Sequence, residues 1–373
     1  MKPKVLFIMH MPPPIHGAAM IGKYIHDSEL INNTFECRYI NPTKAKDLND
    51  IAKIRISKIV QFISLLFRIK KEIKQFKPDL CYFTPSSKRF GFYKSYLIVQ
   101  WIKLFHKNIV VHFHNKGVKD RQNLLLDNWL YKRFFKNINV ILLSKYLYDD
   151  VQKYVKKENV YYCPNGVKQY KETEHNFNKD TFKILFLSNM MKEKGVWDLL
   201  TVCNELALKG KKFECHFIGK WSNILESDFY SYIRNHNLEN YVFAHGAKYN
   251  DEKVQFFKES DGFVFPTFYS NETFGLVLVE AMQFGIPCLS TFEGGIPDVI
   301  DNGNTGFIVE RHDIKGLTDK IIYLMDNYDE RVRMGNAGKE KYKNEFTLDI
   351  FEERIKSILL YLSNKENAKT SVN

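Results

Sequence analysis

Short apolar runs alternate with longer amphipathic ones from one end of this chain to the other, and that alternation constrains its fold more than any other feature. Twelve runs rich in β-branched and aromatic residues read as strands. The first half holds Lys4–Met9, Cys37–Ile40, Leu80–Phe83, Ile109–Phe113, Ile138–Leu143 and Val160–Cys163. The second holds Phe182–Leu187, Phe213–Ile218, Tyr241–Ala244, Gly262–Phe265, Pro287–Ser290 and Gly306–Val309. Helical patterns lie between them, so the strands belong to βαβ units and the sheets are parallel. A length of 373 residues suits two domains. The polar, aperiodic stretch Lys168–Lys179 reads as the linker between them. The expected fold is therefore α/β, with two Rossmann-like, doubly wound domains facing a cleft. Ligands of such sheets bind beyond the carboxyl ends of the strands.

Composition excludes several classes. Cys37, Cys81, Cys163, Cys203, Cys215 and Cys288 form no Cys-x-x-Cys pairs, which argues against a zinc site and against a disulfide framework. Reduced, mostly buried thiols in a cytoplasmic protein are expected. The apolar run Val5–Met9 is too short for a signal peptide, and Pro12 to Pro14 follow almost at once. No stretch reaches membrane-spanning length. The formal charge is +12 and is unevenly placed. Ile51–Lys77 carries eight basic residues against one acid, Glu72, and Leu80–Lys119 carries seven with no Asp or Glu. Both mix charge with apolar residues, as in Ile63-Ser-Leu-Leu-Phe-Arg68. Two readings fit: ordinary solvated helices, or interfacial helices meeting anionic lipid at the inner face of a membrane. No nucleic-acid motif accompanies the charge, so nucleic acid is not expected as a partner.

The stretch from Pro266 to Ser290 carries the most chemistry. It sets Glu272 and Glu280 in an apolar segment, with Gly275 between them. Thr273–Phe284 has helix length and apolar content. Glu272 then stands at the helix entrance, where dipole and free N–H groups favour a carboxylate. Eight residues of helical rise separate the two carboxylates by roughly 12 Å, about the length of a sugar–diphosphate–ribose unit. The amides of Phe274, Gly275 and Leu276 would face the middle of such a ligand. A plain cap at Glu272 and a surface position at Glu280 are the alternative, although a carboxylate inside Leu-Val-Leu-Val-Glu280-Ala-Met needs a partner. Lys194-Gly195 follows a strand and opens a helix, so its lysine is placed to neutralise a diphosphate as a point charge. Pro12 to Ala19, with Gly17, forms the turn from the first strand to the first helix. His112 and His114 stand two apart on a strand and share a face. No third ligand accompanies them, and no metal site is expected.

Taken as a set, these residues resemble the retaining glycosyltransferases of family four, of the bacterial polysaccharide or glycolipid biosynthesis type, which have the GT-B fold. Glu272 and Glu280 are similar to that family's Glu-x7-Glu motif, whose first Glu contacts the donor sugar and whose second contacts the ribose. Lys194-Gly195 is similar to the end of its Gly-Arg-x4-Lys-Gly segment. Here Ser188-Asn189 replaces Gly-Arg, so Asn189 offers only neutral hydrogen bonds, with Lys192 as a neighbouring substitute. His114 matches the family histidine that contacts donor sugar and acceptor, with His112 as its companion. Gly17-Ala18 stands for the paired glycines of the first loop. Ser144, Pro164–Val167, Gly294-Gly295-Ile-Pro297 and Asn304–Phe307 also match, and Gly219 and Gly246 would flank the base.

The resemblance implies domains at 1–168 and 180–345, with a crossing helix and tail over 346–373. That helix, Leu348–Leu362, would return to the first domain, and Ser363–Asn373 would fray. It implies a hexosyltransferase that moves a sugar from a nucleotide-diphosphate sugar to a glycan or lipid-linked acceptor, with retention. No cofactor is expected beyond that co-substrate. No Asp-x-Asp is present to clamp a metal–diphosphate. The expected catalytic residues are His114, Lys194 and Glu272. The expected donor-binding residues are Gly17, Asn189, Lys194, Glu272, Thr273, Phe274, Gly275, Leu276 and Glu280. A double-displacement glycosidase would need carboxylates about 5 Å apart. A nucleotide-sugar epimerase on the same fold and a catalytically silent glycan-binding subunit are the alternatives.

Overall fold

The computed structural model describes residues 2–13, 17–42, 56–106, 108–170, 177 and 180–370. All twelve expected strands form. They are β1 Lys4–Ile8, β2 Glu36–Ile40, β3 Leu80–Phe83, β4 Ile109–His112, β5 Asn139–Leu142 and β6 Val160–Tyr162, then β7 Phe182–Leu187, β8 Phe213–Ile218, β9 Val242–Ala244, β10 Gly262–Phe265, β11 Cys288–Thr291 and β12 Gly306–Val309. They build two six-stranded parallel sheets, ordered β2-β1-β3-β4-β5-β6 and β12-β11-β10-β7-β8-β9. The chain divides into two compact units: Met1–Gly166 with Leu348–Asn373, and Val167–Thr347.

In the first unit, Val5 to Ile8 are fully buried, as the central strand of a parallel sheet covered on both faces should be. The helix Gly17–Asp27 packs Ile21 and Ile25 into that core. The helix Leu348–Thr370 adds Phe351, Ile355, Leu359 and Leu362, a stripe at helical spacing. Ser28 Oγ donates to Glu352 Oε2 at 2.5 Å, and Asn108 Nδ2 donates to the Leu362 carbonyl at 3.0 Å. The tail expected to fray from Ser363 is instead helical to Thr370. Ser363 itself is buried, with its hydroxyl bonded to the Leu359 carbonyl.

In the second unit, β7 and β8 pair from Phe182 opposite Phe213 to Leu187 opposite Ile218. The helix Val196–Leu208 covers them with Leu199, Leu200, Cys203 and Leu206. Asp261, fully buried ahead of β10, accepts the Lys183 N–H at 2.8 Å and lies 3.8 Å from Arg331, whose guanidinium sits against the rings of Phe182 and Tyr328. The expected linker Lys168–Lys179 lies in part outside the described residues. At its start, Tyr170 N–H donates to Gln283 Oε1 at 2.6 Å. All six cysteines are free thiols, and five are buried.

Candidate functional site

The strand order of the second sheet reverses between β7 and β10, where a doubly wound sheet opens a crevice at its carboxyl edge. Lys194 and Glu272 both leave the sheet there. After β7 the chain runs through a short turn, Lys192–Lys194, to Gly195 at φ 82°. A Cβ on Gly195 would come within 2.2 Å of the Pro266 carbonyl oxygen, so only glycine lets the β7 exit lie against the β10 exit. The Phe268 N–H donates to the Glu193 carbonyl across the same seam at 2.9 Å. This approach sets Lys194 Nζ 2.7 Å from Glu272 Oε2, with both side chains 13% exposed. The Lys194 ammonium also stands 4.5 Å from the centroid of the Tyr269 ring.

The second Glu272 oxygen accepts the Gly275 N–H at 3.0 Å. Gly275 takes φ 73°, which ends the irregular segment and starts the helix only at Leu276. The helix is therefore Leu276–Gln283, not Thr273–Phe284. Three expectations change with it. Phe274 precedes the helix and is buried against Phe346, with ring centroids 5.7 Å apart. The Gly275 amide is already bonded to Glu272 and does not stand free for an anion. The helical-rise estimate between Glu272 and Glu280 no longer applies, because only its later part is helical. Thr273 is buried, and its carbonyl accepts the Gly295 N–H at 2.9 Å, which docks the Gly294-Gly295 turn onto this segment. Glu280 is half-buried and has the partner its surroundings demand: Lys253 Nζ lies 2.9 Å away. Asn189 is exposed just beyond β7. Lys194, expected to neutralise a diphosphate as a point charge, is half of an ion pair with Glu272.

His114 and Gly17 belong to the first unit. His112 closes β4, fully buried, with Nδ1 2.7 Å from the Tyr82 hydroxyl. Burial, and more weakly the charge of His114, push its pKa well below the ordinary imidazole value. The His112 and His114 rings lie against each other with a tilt of 42°, centroids 4.1 Å apart, on one face as strand alternation predicts. The loop that follows is fixed at two points. Asn115 accepts the Ser87 N–H at 2.6 Å and donates to the Pro85 carbonyl at 2.9 Å. Asp150 accepts N–H bonds from Gly117, Val118 and Lys119. Gly17 opens the helix that follows β1, and Pro14 to His16 lie outside the described residues. Among the described residues no three His, Cys, Asp or Glu side chains gather as metal ligands would. Nothing in the local pattern marks Tyr269 under Lys194, Lys253 beside Glu280, or Asp150 behind the His114 loop. Each partnership joins residues at least 27 positions apart or on separate elements.

Residues 167–341 match the glycosyl transferases group 1 family. A capsular polysaccharide biosynthesis glycosyltransferase of Staphylococcus aureus, CapM, is 30% identical over 190 residues, which is 50% of this chain and 48% of that protein. The chain spans about half the length of the curated relatives it matches. Among solved structures, a glycosyltransferase from Rickettsia africae aligns over 97% of this chain and 98% of its own, with TM-score 0.71 and 17% identity. Anabaena HepE in complex with UDP aligns over 96% and 100%, with TM-score 0.72 and 17% identity. At such identities the likeness is one of fold, and the fold is GT-B. Over residues 167–341, the chain is similar to the glycosyl transferases group 1 family.

Proposed function

We propose that this protein is a glycosyltransferase that moves a hexose-type sugar from a nucleotide-diphosphate sugar to a glycan or lipid-linked acceptor in polysaccharide biosynthesis. The observation that carries the reading is the Lys194–Glu272 pair at the strand-order reversal of the group 1 domain. In the proposed transfer, the bond from the anomeric carbon to the diphosphate oxygen breaks and its electron pair leaves on the diphosphate. The acceptor hydroxyl oxygen bonds to that carbon and passes its proton to the departing diphosphate oxygen. Lys194 lies where positive charge is needed at the leaving diphosphate, and Glu272 holds it there until a ligand competes for it. Glu280 and Lys253 are assigned to the ribose end of the donor, and His114 to the donor sugar and acceptor. Retention and independence of added metal belong to the same proposal and follow the family resemblance. UDP leads among the nucleotides to try, because it is the nucleotide in the HepE structure.

A lipid-borne acceptor is supported by the outside of the first unit. The helices Ile56–Phe76 and Arg89–Lys103 lie side by side, since Trp101 Nε1 donates to the Leu66 carbonyl at 2.7 Å. Leu125–Phe135 adjoins the second of them through Lys103, which donates to the Phe134 carbonyl at 2.9 Å. Across these helices Ile59, Ile63, Phe67, Phe90, Leu97 and Leu125 are exposed, in the part of the chain that carries most of the excess positive charge. Among the described residues no helix is long and apolar enough to cross a membrane. Contact with an anionic membrane surface is therefore proposed as peripheral.

The test is a screen of UDP-, GDP- and ADP-sugars, read as nucleotide released with and without candidate glycan acceptors. Release from one donor, raised by an acceptor, is expected. Turnover independent of any acceptor, with an epimerised sugar as product, would favour an epimerase. Absence of donor binding would favour a silent subunit.

A further inference from the structure

We propose that Lys220 supplies the uncommitted positive charge that a diphosphate needs at the carboxyl ends of β7 and β8. The inference rests on the donor-site reading above and adds to it a residue that no motif marks. It begins from charge balance. A nucleoside diphosphate brings more than one negative charge, while Lys194 is already closed on Glu272 at 2.7 Å. The pair as a whole is neutral. Asn189, on the same β7 exit, offers only an amide.

Of the other cations near this edge, one is engaged, while the Lys192 ammonium is exposed and makes no ion pair among the described residues. Arg311 is paired with the buried carboxylate of Glu293. Lys192 donates its backbone N–H to Asn223 Oδ1 at 2.8 Å and shares its turn with Glu193. The Glu193 carboxyl is held below its ordinary value first by the Asn223 amide, then by its own backbone N–H and the Lys192 charge. Lys220 is likewise exposed and makes no ion pair among the described residues, and it differs from Lys192 in standing opposite Asn189 across the sheet.

Its position is fixed by register. The pairing of β7 with β8 ends with Leu187 opposite Ile218, yet the same register continues to a bridge between Met190 and Trp221. Ser188 N–H donates to the Ile218 carbonyl at 3.0 Å, and Met190 N–H donates to the Lys220 carbonyl at 2.8 Å. Asn189 and Lys220 therefore stand opposite one another in the continued register, about 4.8 Å apart on neighbouring segments. Gly219 makes the approach possible, since a Cβ there would lie 1.7 Å from the Ser188 carbonyl oxygen. The charge absent at position 189 is thus present one strand over, at the same height along the sheet.

Calorimetric titration of UDP, GDP and ADP into the full chain tests this, with Lys220→Ala, Lys220→Arg, Lys192→Ala and the double variant Asn189→Arg/Lys220→Ala. One lost charged contact corresponds to about tenfold in dissociation constant, and Lys220→Ala is expected to weaken the preferred nucleotide by that factor. Lys220→Arg is expected to keep wild-type affinity, Lys192→Ala to change it less than Lys220→Ala does, and the double variant to recover most of the loss. Wild-type affinity in Lys220→Ala, or no recovery in the double variant, overturns the role of Lys220 alone. Failure of the wild type to bind any of the three overturns the donor-site reading, and this inference with it.

Discussion

The two units of this chain share a six-stranded parallel sheet but differ in what they place at the strand-order reversal and in what they show to solvent. In the second unit the reversal falls between β7 and β10, and the two exits bring Lys194 and Glu272 into contact. In the first it falls between β1 and β3, and its histidines leave from β4 instead, their rings tilted against each other and backed by Tyr82. Outside, the first unit exposes apolar side chains on neighbouring helices among many lysines and arginines, whereas the largest exposed apolar residues of the second, such as Leu208 and Leu225, are scattered. A shared scaffold thus carries a largely buried ion pair in one unit and an apolar, basic surface in the other.

The sharpest way to break the contrast is to remove the charged pair. Lys194→Ala and Glu272→Ala each leave the other charge without its partner in a largely buried setting, and each is expected to lose about 1.5–3 kcal/mol of transition-state stabilisation. That is roughly a ten- to hundredfold fall in kcat/KM. Steady-state nucleotide release should show it, and the double variant should lose less than the sum of the two, because the residues act as one unit. Added divalent metal should not restore Lys194→Ala, and chelator should leave the wild type active. Strong inhibition by chelator would contradict the proposed reliance on Lys194.

Next in size is Glu280, paired with Lys253 at 2.9 Å. Glu280→Ala is expected to raise KM for the donor about tenfold while leaving kcat near the wild-type value. A kcat effect with unchanged KM would move Glu280 out of the ribose end of the site.

A smaller effect belongs to the first unit. His112 is buried and its pKa is depressed, so the unfolded chain takes up a proton that the native one refuses. Stability is then full above the unfolded imidazole value of about 6.5 and is lost as pH falls below it, by up to about 1.4 kcal/mol per pH unit. Thermal melts at pH 7.5 and 5 should show the loss, and His112→Phe should flatten it. A melting temperature that falls equally in both proteins would assign the acid sensitivity elsewhere.

The smallest effect per residue is expected at the apolar, basic face. Each basic residue near an anionic surface contributes about 1 kcal/mol. Cosedimentation with anionic vesicles should exceed that with neutral ones, fall with salt, and fall again when Lys70, Lys71 and Lys74 become Gln. Phe67→Ser should weaken it further, since Phe67 is 60% exposed. Equal binding to neutral and anionic vesicles at low salt would make these helices ordinary solvated ones and favour a soluble acceptor.

All twelve strands were legible in the sequence because β-branched runs bounded by turn residues leave little choice, and five matched to the residue: β3, β7, β8, β10 and β12. The start of the helix after β10 was not legible, because Thr273 and Phe274 continue the apolar pattern while Gly275 turns the backbone left-handed. Glu272 and Lys194 could each be picked from local pattern. Their ion pair could not, since it spans 78 positions and depends on β7 lying beside β10. Lys220 was invisible for the same reason: its meaning lies in the strand register with Asn189, not in its neighbours along the chain.

The most direct measurement of the central claim is nucleotide release from the preferred donor at saturating concentration, compared between the wild type, Lys194→Ala and Glu272→Ala in the full chain. The account predicts measurable release by the wild type and at least a tenfold fall in both variants. Release by either variant at the wild-type rate, with donor saturating, would contradict the assignment of the β7–β10 crevice as the donor site.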